Sequence, residues 1–300
     1  RVYLMDNIYL FLFYCFRFFI KYMPTGLTKS LLGFFAFIAY SLDKKHRHVA
    51  RVNLDLAFEN KKSEKEKEQI IKDCYKNILY NLSEFVKNQG ATKEEILSKV
   101  VFKNTEALEN AIKTKRKVIV TTAHYGNWEL LSLAIAVKFS AVSIVGRDLD
   151  SKVMNTILTK NREQFDVELI SKDGAMKGMM KALKQNRSLG ILVDQNTAEK
   201  EGLLIDFFGK KARHTPSAAI LARKFDAIII PGFIKTFDHE TFEITFYNPI
   251  QTKVSDDKDE DILNSVKKQA LITEQIIEEK PNEWFWLHKR WKNQYEKLYK

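Results

Sequence analysis

The sequence predicts an α/β fold, a mainly parallel but mixed sheet flanked by helices, and three observations carry that expectation. Between Lys117 and Asp194, short continuously apolar runs alternate with stretches of helical period, the pattern of strands buried on both faces. Two further strand-like runs, "AIIIPGFI" and "TFEITFYNPI", follow one another directly and suggest a mixed edge. Ahead of Asn53 the chain is apolar and aromatic on nearly all helical faces, as a hydrophobic helical region outside the sheet would be.

The elements follow in order. "NIYLFLFYCFRFFIKYMP" carries Arg17 inside an aromatic run and ends at a break from Pro24 to Gly26. "SLLGFFAFIAYSLDKKHRH" comes next, and its uninterrupted apolar run is about a dozen residues against the roughly 20 that span a bilayer. Neither half is a clean transmembrane helix. Lys44, Lys45, His46, Arg47, His48 and Arg51 adjoin the apolar run, and basic residues there favour the cytoplasmic face of a membrane with anionic headgroups. Two alternatives stay open. Ala39 and Ser41 faintly resemble a signal-peptide cleavage site, although Arg17 and the aromatic load are unlike its apolar core. Two core helices of a soluble domain are the other, although Phe18, Phe19, Phe34 and Phe35 do not form one stripe. The chain opens at Arg1, so this end is expected to lack a few residues. The expected division is a membrane-associated helical region over 1–52 and an α/β domain over 53–300.

"SEKEKEQIIKDCYKNILYNLSEFVKN" predicts a helix capped by Ser63, with one buried face at Ile70, Ile71, Cys74, Ile78, Leu79 and Leu82. Strands are predicted at "KVIVTT", "AVSIV", "VELIS" and "LGILVD", with helices from Asn127, over "KVMNTILTKNREQF" and from Gly174. A helix after Thr215, the two adjacent strands and a helix from about Asp259 to Glu279 complete the order.

With 300 residues and 45% hydrophobic content the chain can bury a large core. The formal charge of +11 points to anionic partners without choosing among nucleic acid, lipid and acidic protein. Cys15 and Cys74 have neither metal nor disulfide spacing, so no metal and no cofactor are expected.

The stretch "VIVTTAHYGNWELLSLAI" begins as a strand and ends as a helix, with His124 in the turn. On a continuous helix His124 and Glu129 would lie about 140° apart. With Asn127 as N-cap, Glu129 instead falls in the first helical turn and His124 at a strand's carboxyl end, where open α/β sheets bind ligands. A carboxylate beside an imidazole fixes its tautomer, as a general base for an alcohol requires. Gly126 would let a substrate approach the backbone. An incidental loop histidine is the alternative.

"TTAHYGNWEL" resembles the H-x4-E signature of the bacterial lipid A late acyltransferases, the lauroyl and myristoyl transferases within the wider lysophospholipid acyltransferase superfamily. The resemblance extends to "RHVARVNLDLAF", "GRDLDSKVMNTILTKNRE", "LVDQNTAEKEGLLIDFFGKKARHTPSAAILA" and "EWFWLHKRWK". It implies a protein attached to the inner membrane by its hydrophobic amino terminus and acting on the cytoplasmic face. The donor would be an acyl carrier protein thioester and the acceptor a phosphorylated, acylated glucosamine disaccharide. Catalytic residues would be His124 as general base and Glu129 orienting it, without an acyl-enzyme. Arg147, in "VGR", resembles the family arginine that binds acceptor phosphate or the developing oxyanion, and a surface arginine is its alternative. Arg162 is a further candidate for that role. Asp194 and Gln195 would shape the pocket, a metal reading of Asp194 with His124 being disfavoured by the missing ligand spacing. Phe207, Phe208 and Gly209 would wall the acyl pocket, and Lys210, Lys211 and Arg213 with a helix start at Thr215 would form an anion site, or a solvated basic loop.

Trp284, Trp286 and Trp291, interleaved with His288, Lys289, Arg290 and Lys292, suit a membrane interface or a packed terminal helix, with His288 structural. Two rivals remain: acyl transfer to another glycolipid or a lysophospholipid, and a non-catalytic basic protein binding membrane or nucleic acid. No nucleic-acid motif is present, and no nucleic-acid partner is expected.

Overall fold

The computed structural model describes residues 2–147, 149 and 151–300, with side chains from residue 7 onward. The apolar amino terminus forms α1 (Val2–Tyr22) and α2 (Thr25–Leu42), separated by a break at Pro24. The next helix, α3 (Lys44–Phe58), runs continuously across residue 52 and is capped by the Asp43 carboxylate on the His46 amide. Ser63, the N-cap expected from the sequence, opens α4 (Glu64–Asn88), and the structure adds Glu66 as its capping-box partner.

The α/β part then runs α5 (Lys93–Ser98), β1 (Val100–Lys103), α6 (Glu106–Lys113), β2 (Val118–Thr122), α7 (Trp128–Lys138), β3 (Val142–Gly146), α8 (Lys152–Arg162), β4 (Val167–Ser171), α9 (Ala175–Lys184) and β5 (Ser188–Leu192). It closes with the hairpin β6 (Leu203–Phe207) and β7 (Lys210–His214), then α10 (Ser217–Phe225), β8 (Ile228–Thr236), β9 (Phe242–Phe246) and α11 (Lys258–Glu279). Among the described residues the main sheet has seven strands in the order β1-β9-β8-β2-β5-β3-β4, parallel except where β8 meets β9. The fold is therefore the expected mixed, mainly parallel sheet flanked by helices. The sequence pattern did not reveal β1, whose four residues include two lysine-flanked valines, nor the β6–β7 hairpin.

Alternation along β2 divides the core. Val118 and Val120 pack under α7 with Leu130 and Leu131, while Ile119 packs on the opposite face with Met179, Leu183 and Leu221 of α9 and α10. A third apolar cluster joins α3, α4 and α11 to the carboxyl-terminal tryptophans and to Tyr125 in the turn after β2.

Helices α1 and α2 are apolar on their outside. Phe11, Phe18, Phe19, Tyr22, Leu27, Phe34 and Phe37 are more than half exposed, whereas Thr28, Leu32 and Ala36 form the stripe of α2 that packs inward. Over its 18 residues, with mean hydropathy 1.3, α2 is long and apolar enough by length and composition to cross a membrane. The helix begins at Thr25, ahead of the dozen-residue apolar run counted in the sequence, and so carries that run within a longer span.

Candidate active site

The site stands at the carboxyl ends of β2 and β5, which are adjacent and parallel, so the residues that follow them emerge side by side. After β2 the chain turns through Ala123–Asn127 into α7, whose N-cap is Asn127: its side chain accepts the Leu130 amide at 3.1 Å. After β5 it continues through Val193, whose amide donates to the Thr122 carbonyl at 2.9 Å, into Asp194 and Gln195.

Three interactions fix His124. Its Nδ1 lies 2.9 Å from Asp194 Oδ1, and its own amide donates to Oδ2 of the same carboxylate at 3.0 Å. On the other side of the ring, Nε2 is 3.2 Å from Gln195 Nε2. An ionised carboxylate only accepts, so the proton sits on Nδ1 and the Nε2 lone pair is directed at the Gln195 amide. The Asp194 carboxylate is itself buried and also receives the Trp284 indole N–H at 2.8 Å. Burial works against its charge, but the imidazole and the indole and backbone N–H donors prevail and hold the carboxyl well below the usual carboxylate range. Burial likewise opposes a charged His124, and Asp194 overcomes it, so the imidazole pKa is raised.

This geometry corrects the expected role of Glu129. Its carboxylate is held by Arg162 of α8, with Nε donating to Oε2 at 2.8 Å and Nη2 to Oε1. A bidentate guanidinium fork engages both oxygens, and the hydrogen bond to the imidazole comes from Asp194 instead. Arg162 is correspondingly committed to Glu129, not free for a phosphate. The ion pair is half-buried at the first turn of α7 and acts on His124 only through its field. Arg147 is exposed just beyond β3, at the same sheet edge, and makes no ion pair or hydrogen bond among the described residues. Residues 148 and 150 of the "GRDLDSKV" block lie outside the described residues.

Gly126 also serves packing and not substrate approach. Its φ is +55°, and a Cβ built there would stand 1.8 Å from the Ile234 carbonyl oxygen of β8. The turn is clamped from three sides. The Gly126 carbonyl accepts Asn81 Nδ2 at 2.7 Å, its amide donates to the Glu283 carbonyl at 3.0 Å, and the Phe285 amide donates to the His124 carbonyl at 2.9 Å. The "EWFWLHKRWK" segment thus pairs with the histidine turn in extended form. Trp284, Trp286 and Trp291 are buried, which excludes the interfacial role considered for them, and no regular helix spans 284–291. Asn53 of "RHVARVNLDLAF" holds the segment in place, donating to the carbonyls of Trp286 and His288 at 2.7 Å each.

Phe207, Phe208 and Gly209 do not line the apolar cleft beside the histidine turn, where the acyl-pocket wall was expected. Phe208 and Gly209, with φ +54° and +68°, are the two-residue turn of the β6–β7 hairpin, and Phe207 is buried among Trp284, Trp291 and Phe208. The neighbouring cations are already paired: Lys210 with Glu59, Lys211 with Asp206 at 3.0 Å, and Arg213 with the Gly202 carbonyl at 2.9 Å. The expected anion site is therefore an ion-paired hairpin. Behind it the buried Arg290 guanidinium, 4.7 Å from the Phe207 ring, donates to the Arg213 carbonyl and faces His214 Nδ1 at 3.1 Å. Burial without a carboxylate partner pushes Arg290 down to about 10, and burial, then Arg290, push His214 down to about 3. Burial pushes His288 down to about 4, and its Nε2 accepts the Asn196 amide at 3.1 Å.

The apolar cleft near the histidine lies elsewhere, between α7 and the strands β2, β5 and β3. Trp128, Leu131 and Ile135 roof it, Val120, Ile144 and Leu192 floor it, and Glu129 and Arg162 close one side. Its volume is about 60 Å³, a slot that an acyl chain would have to widen. Gly190 keeps the floor low, and the Thr122 hydroxyl is buried in the wall without a hydrogen-bond partner. Trp128 links slot to base, its ring centroid 5.2 Å from that of His124. Trp128 stands inside the quoted signature, whereas Thr122 reads in the sequence only as strand.

Residues 2–293 match the family described as bacterial lipid A biosynthesis acyltransferase. Over 271 residues the chain is 19% identical to the lipid A biosynthesis acyltransferase of Haemophilus influenzae, covering 89% of this chain and 82% of that protein. Among solved structures it is similar to the 1-acyl-sn-glycerophosphate (LPA) acyltransferase PlsC from Thermotoga maritima, at 12% identity and a TM-score of 0.36, covering 82% of this chain and 97% of that one. With a histidine–aspartate couple at the edge of its sheet and the family match running over nearly its whole length, the chain belongs to the bacterial lipid A biosynthesis acyltransferase family.

Proposed function

We propose that the protein transfers a fatty acyl chain from the thioester of acyl carrier protein to a hydroxyl of a phosphorylated, acylated glucosamine disaccharide, a lipid A precursor. The observation that carries this reading is the imidazole held at Nδ1 by Asp194, with Nε2 facing the Gln195 amide. In the reaction Nε2 takes the hydroxyl proton as the oxygen attacks the thioester carbonyl. The tetrahedral intermediate collapses with cleavage of the C–S bond, and the imidazolium returns its proton to the departing thiolate. Asp194 stabilises the transient imidazolium, and the slot under α7 would take the chain. Arg147 is an exposed cation at this edge with no ion pair among the described residues, suited to the acceptor phosphate. The net positive charge supports an acidic carrier and a phosphorylated acceptor. The exposed apolar faces of α1 and α2 followed by Lys44 and Lys45 support insertion into the cytoplasmic face of the inner membrane, with 1–52 as the anchoring region.

The test is acyl transfer by the purified full chain, using acyl carrier protein thioesters and the disaccharide lipid, with lysophospholipid as the competing acceptor. Transfer to the disaccharide that disappears in His124→Ala supports the reading. A folded His124→Ala variant with undiminished turnover refutes it, and transfer to lysophospholipid alone reassigns the acceptor.

A further inference from the structure

Away from the catalytic turn lies a second cavity, this one lined by cations. At the corner between α1 and α2, against the carboxyl end of α4, a cavity of about 340 Å³ is lined by Arg17, Lys21, Thr28, Lys87, Gln89 and Glu95, among others. Arg17 is the informative residue. A guanidinium inside an apolar aromatic helix is costly wherever that helix meets lipid, and such a charge is retained where it faces a protein or polar cavity. Residues 17, 20 and 21 share one face of α1, and Ile20 on that face is buried, so Arg17 lies half-buried on the cavity wall while Lys21 stays exposed at its mouth, its Nζ 5.9 Å from the Tyr22 ring.

Neither cation is neutralised by a carboxylate among the described residues. Of the other charged groups on the wall, Lys87 pairs with Glu84 at 2.9 Å. The Glu95 carboxylate accepts the Thr92 amide at 2.7 Å in the capping box of α5. The Gln89 side-chain oxygen is buried without a partner, and a half-turn of that amide would present an N–H donor at the same point. Directly outside, Phe19, Tyr22 and Leu27 are more than half exposed. Unpaired cations beside an open apolar surface match an amphiphile with an anionic head above acyl chains.

We infer that the α1–α2 corner is a binding site for the phosphate of an anionic phospholipid, with Arg17 and Lys21 as its principal contacts. This rests on the reading of α1 and α2 as membrane-inserted. The site ties the amino-terminal helices to a defined lipid, and because α1 also packs on α8, which carries Arg162, an occupied site would brace the wall of the catalytic slot.

The test uses the full chain in a neutral detergent, with phosphatidylglycerol, phosphatidylcholine and inorganic phosphate as separate probes. Lipid retention is read by native mass spectrometry and the melting temperature by tryptophan fluorescence. Phosphatidylglycerol should be retained and raise the melting temperature, and the other two should not. Arg17→Ala should bind phosphatidylglycerol roughly tenfold more weakly, the loss of one charge-assisted contact. Should that variant fail to fold, Lys21→Ala carries the test, since Lys21 is exposed. A Lys267→Ala/Lys268→Ala variant, at two exposed positions of α11, controls for general surface charge and should bind as the wild type does. Equal binding by the Arg17 and Lys21 variants overturns the inference, as does an equal response to inorganic phosphate or to phosphatidylcholine. Flotation with phosphatidylcholine vesicles reads membrane insertion separately: a chain that floats but shows no phosphatidylglycerol preference loses the site and keeps the insertion.

Discussion

Nδ1 of His124 meets Oδ1 of Asp194 at 2.9 Å across two adjacent parallel strands, although the residues are 70 positions apart in the chain. The Asp194 side chain is buried and the His124 side chain 20% exposed, so the partner that gains charge in a proton transfer is the one that reaches the surface.

Replacing Asp194 by Asn should keep the fold and lower the transfer rate by about 10²- to 10⁴-fold, the usual range for a lost acid–base function. The pH profile carries the more specific expectation. A base works only when neutral, and Asp194 raises the His124 pKa, so wild-type activity should fall as pH drops through a value above the ordinary imidazole range. Without the carboxylate, burial dominates and the limb should move to lower pH. Initial rates across pH with one thioester check this, and an unmoved limb would remove Asp194 from the mechanism.

Glu129→Gln should behave differently. It leaves Arg162 half-buried and unpaired, and breaking such a pair costs about 3 kcal/mol. Chemical unfolding should report this loss, and Glu129→Gln/Arg162→Leu should regain part of it. A Glu129→Gln variant of unchanged stability would show that the ion pair contributes nothing to the slot wall.

Gly126→Ala places a methyl group against the Ile234 carbonyl at a positive φ, where no small rearrangement relieves both. Loss of at least about 2 kcal/mol of stability is expected. Wild-type stability in urea would mean that β8 yields to the turn.

Mild acid should destabilise the protein. His214 and His288 have folded-state pKa values near 3 and 4, so between those values and the ordinary imidazole range the unfolded chain binds protons that the folded chain does not. Stability from these groups is complete above that range and is lost as pH falls through it, by up to about 1.4 kcal/mol per pH unit for each. Melting temperatures of His288→Asn against wild type from pH 7 to 5 check the sign: the variant should lose less.

Arg147→Ala should raise KM for the disaccharide acceptor more than it lowers kcat, without changing the melting temperature. Kinetics indistinguishable from wild type would remove Arg147 from the acceptor site.

Much of this protein could be read along the chain because the signals are local. Strand and helix periods between Lys117 and Asp194 reflect burial on two faces of a sheet, and Asn127 and Ser63 cap their helices through contacts three residues away. His124 was identifiable for the same reason, standing where a strand ends and a helix begins. Its partner was not. Glu129 is close in sequence, but a helix start directs its carboxylate toward α8, whereas β5 carries Asp194 to the imidazole only once β2 and β5 have paired. The tryptophans and Phe207 likewise read as possible surface or pocket residues until three distant segments packed them inside. Local hydrogen-bond geometry and hydrophobic period determined the elements and the base. Which acid faces the base, which glycine is filled and which cations are already paired were decided by long-range packing, because those contacts depend on sheet order and not on spacing.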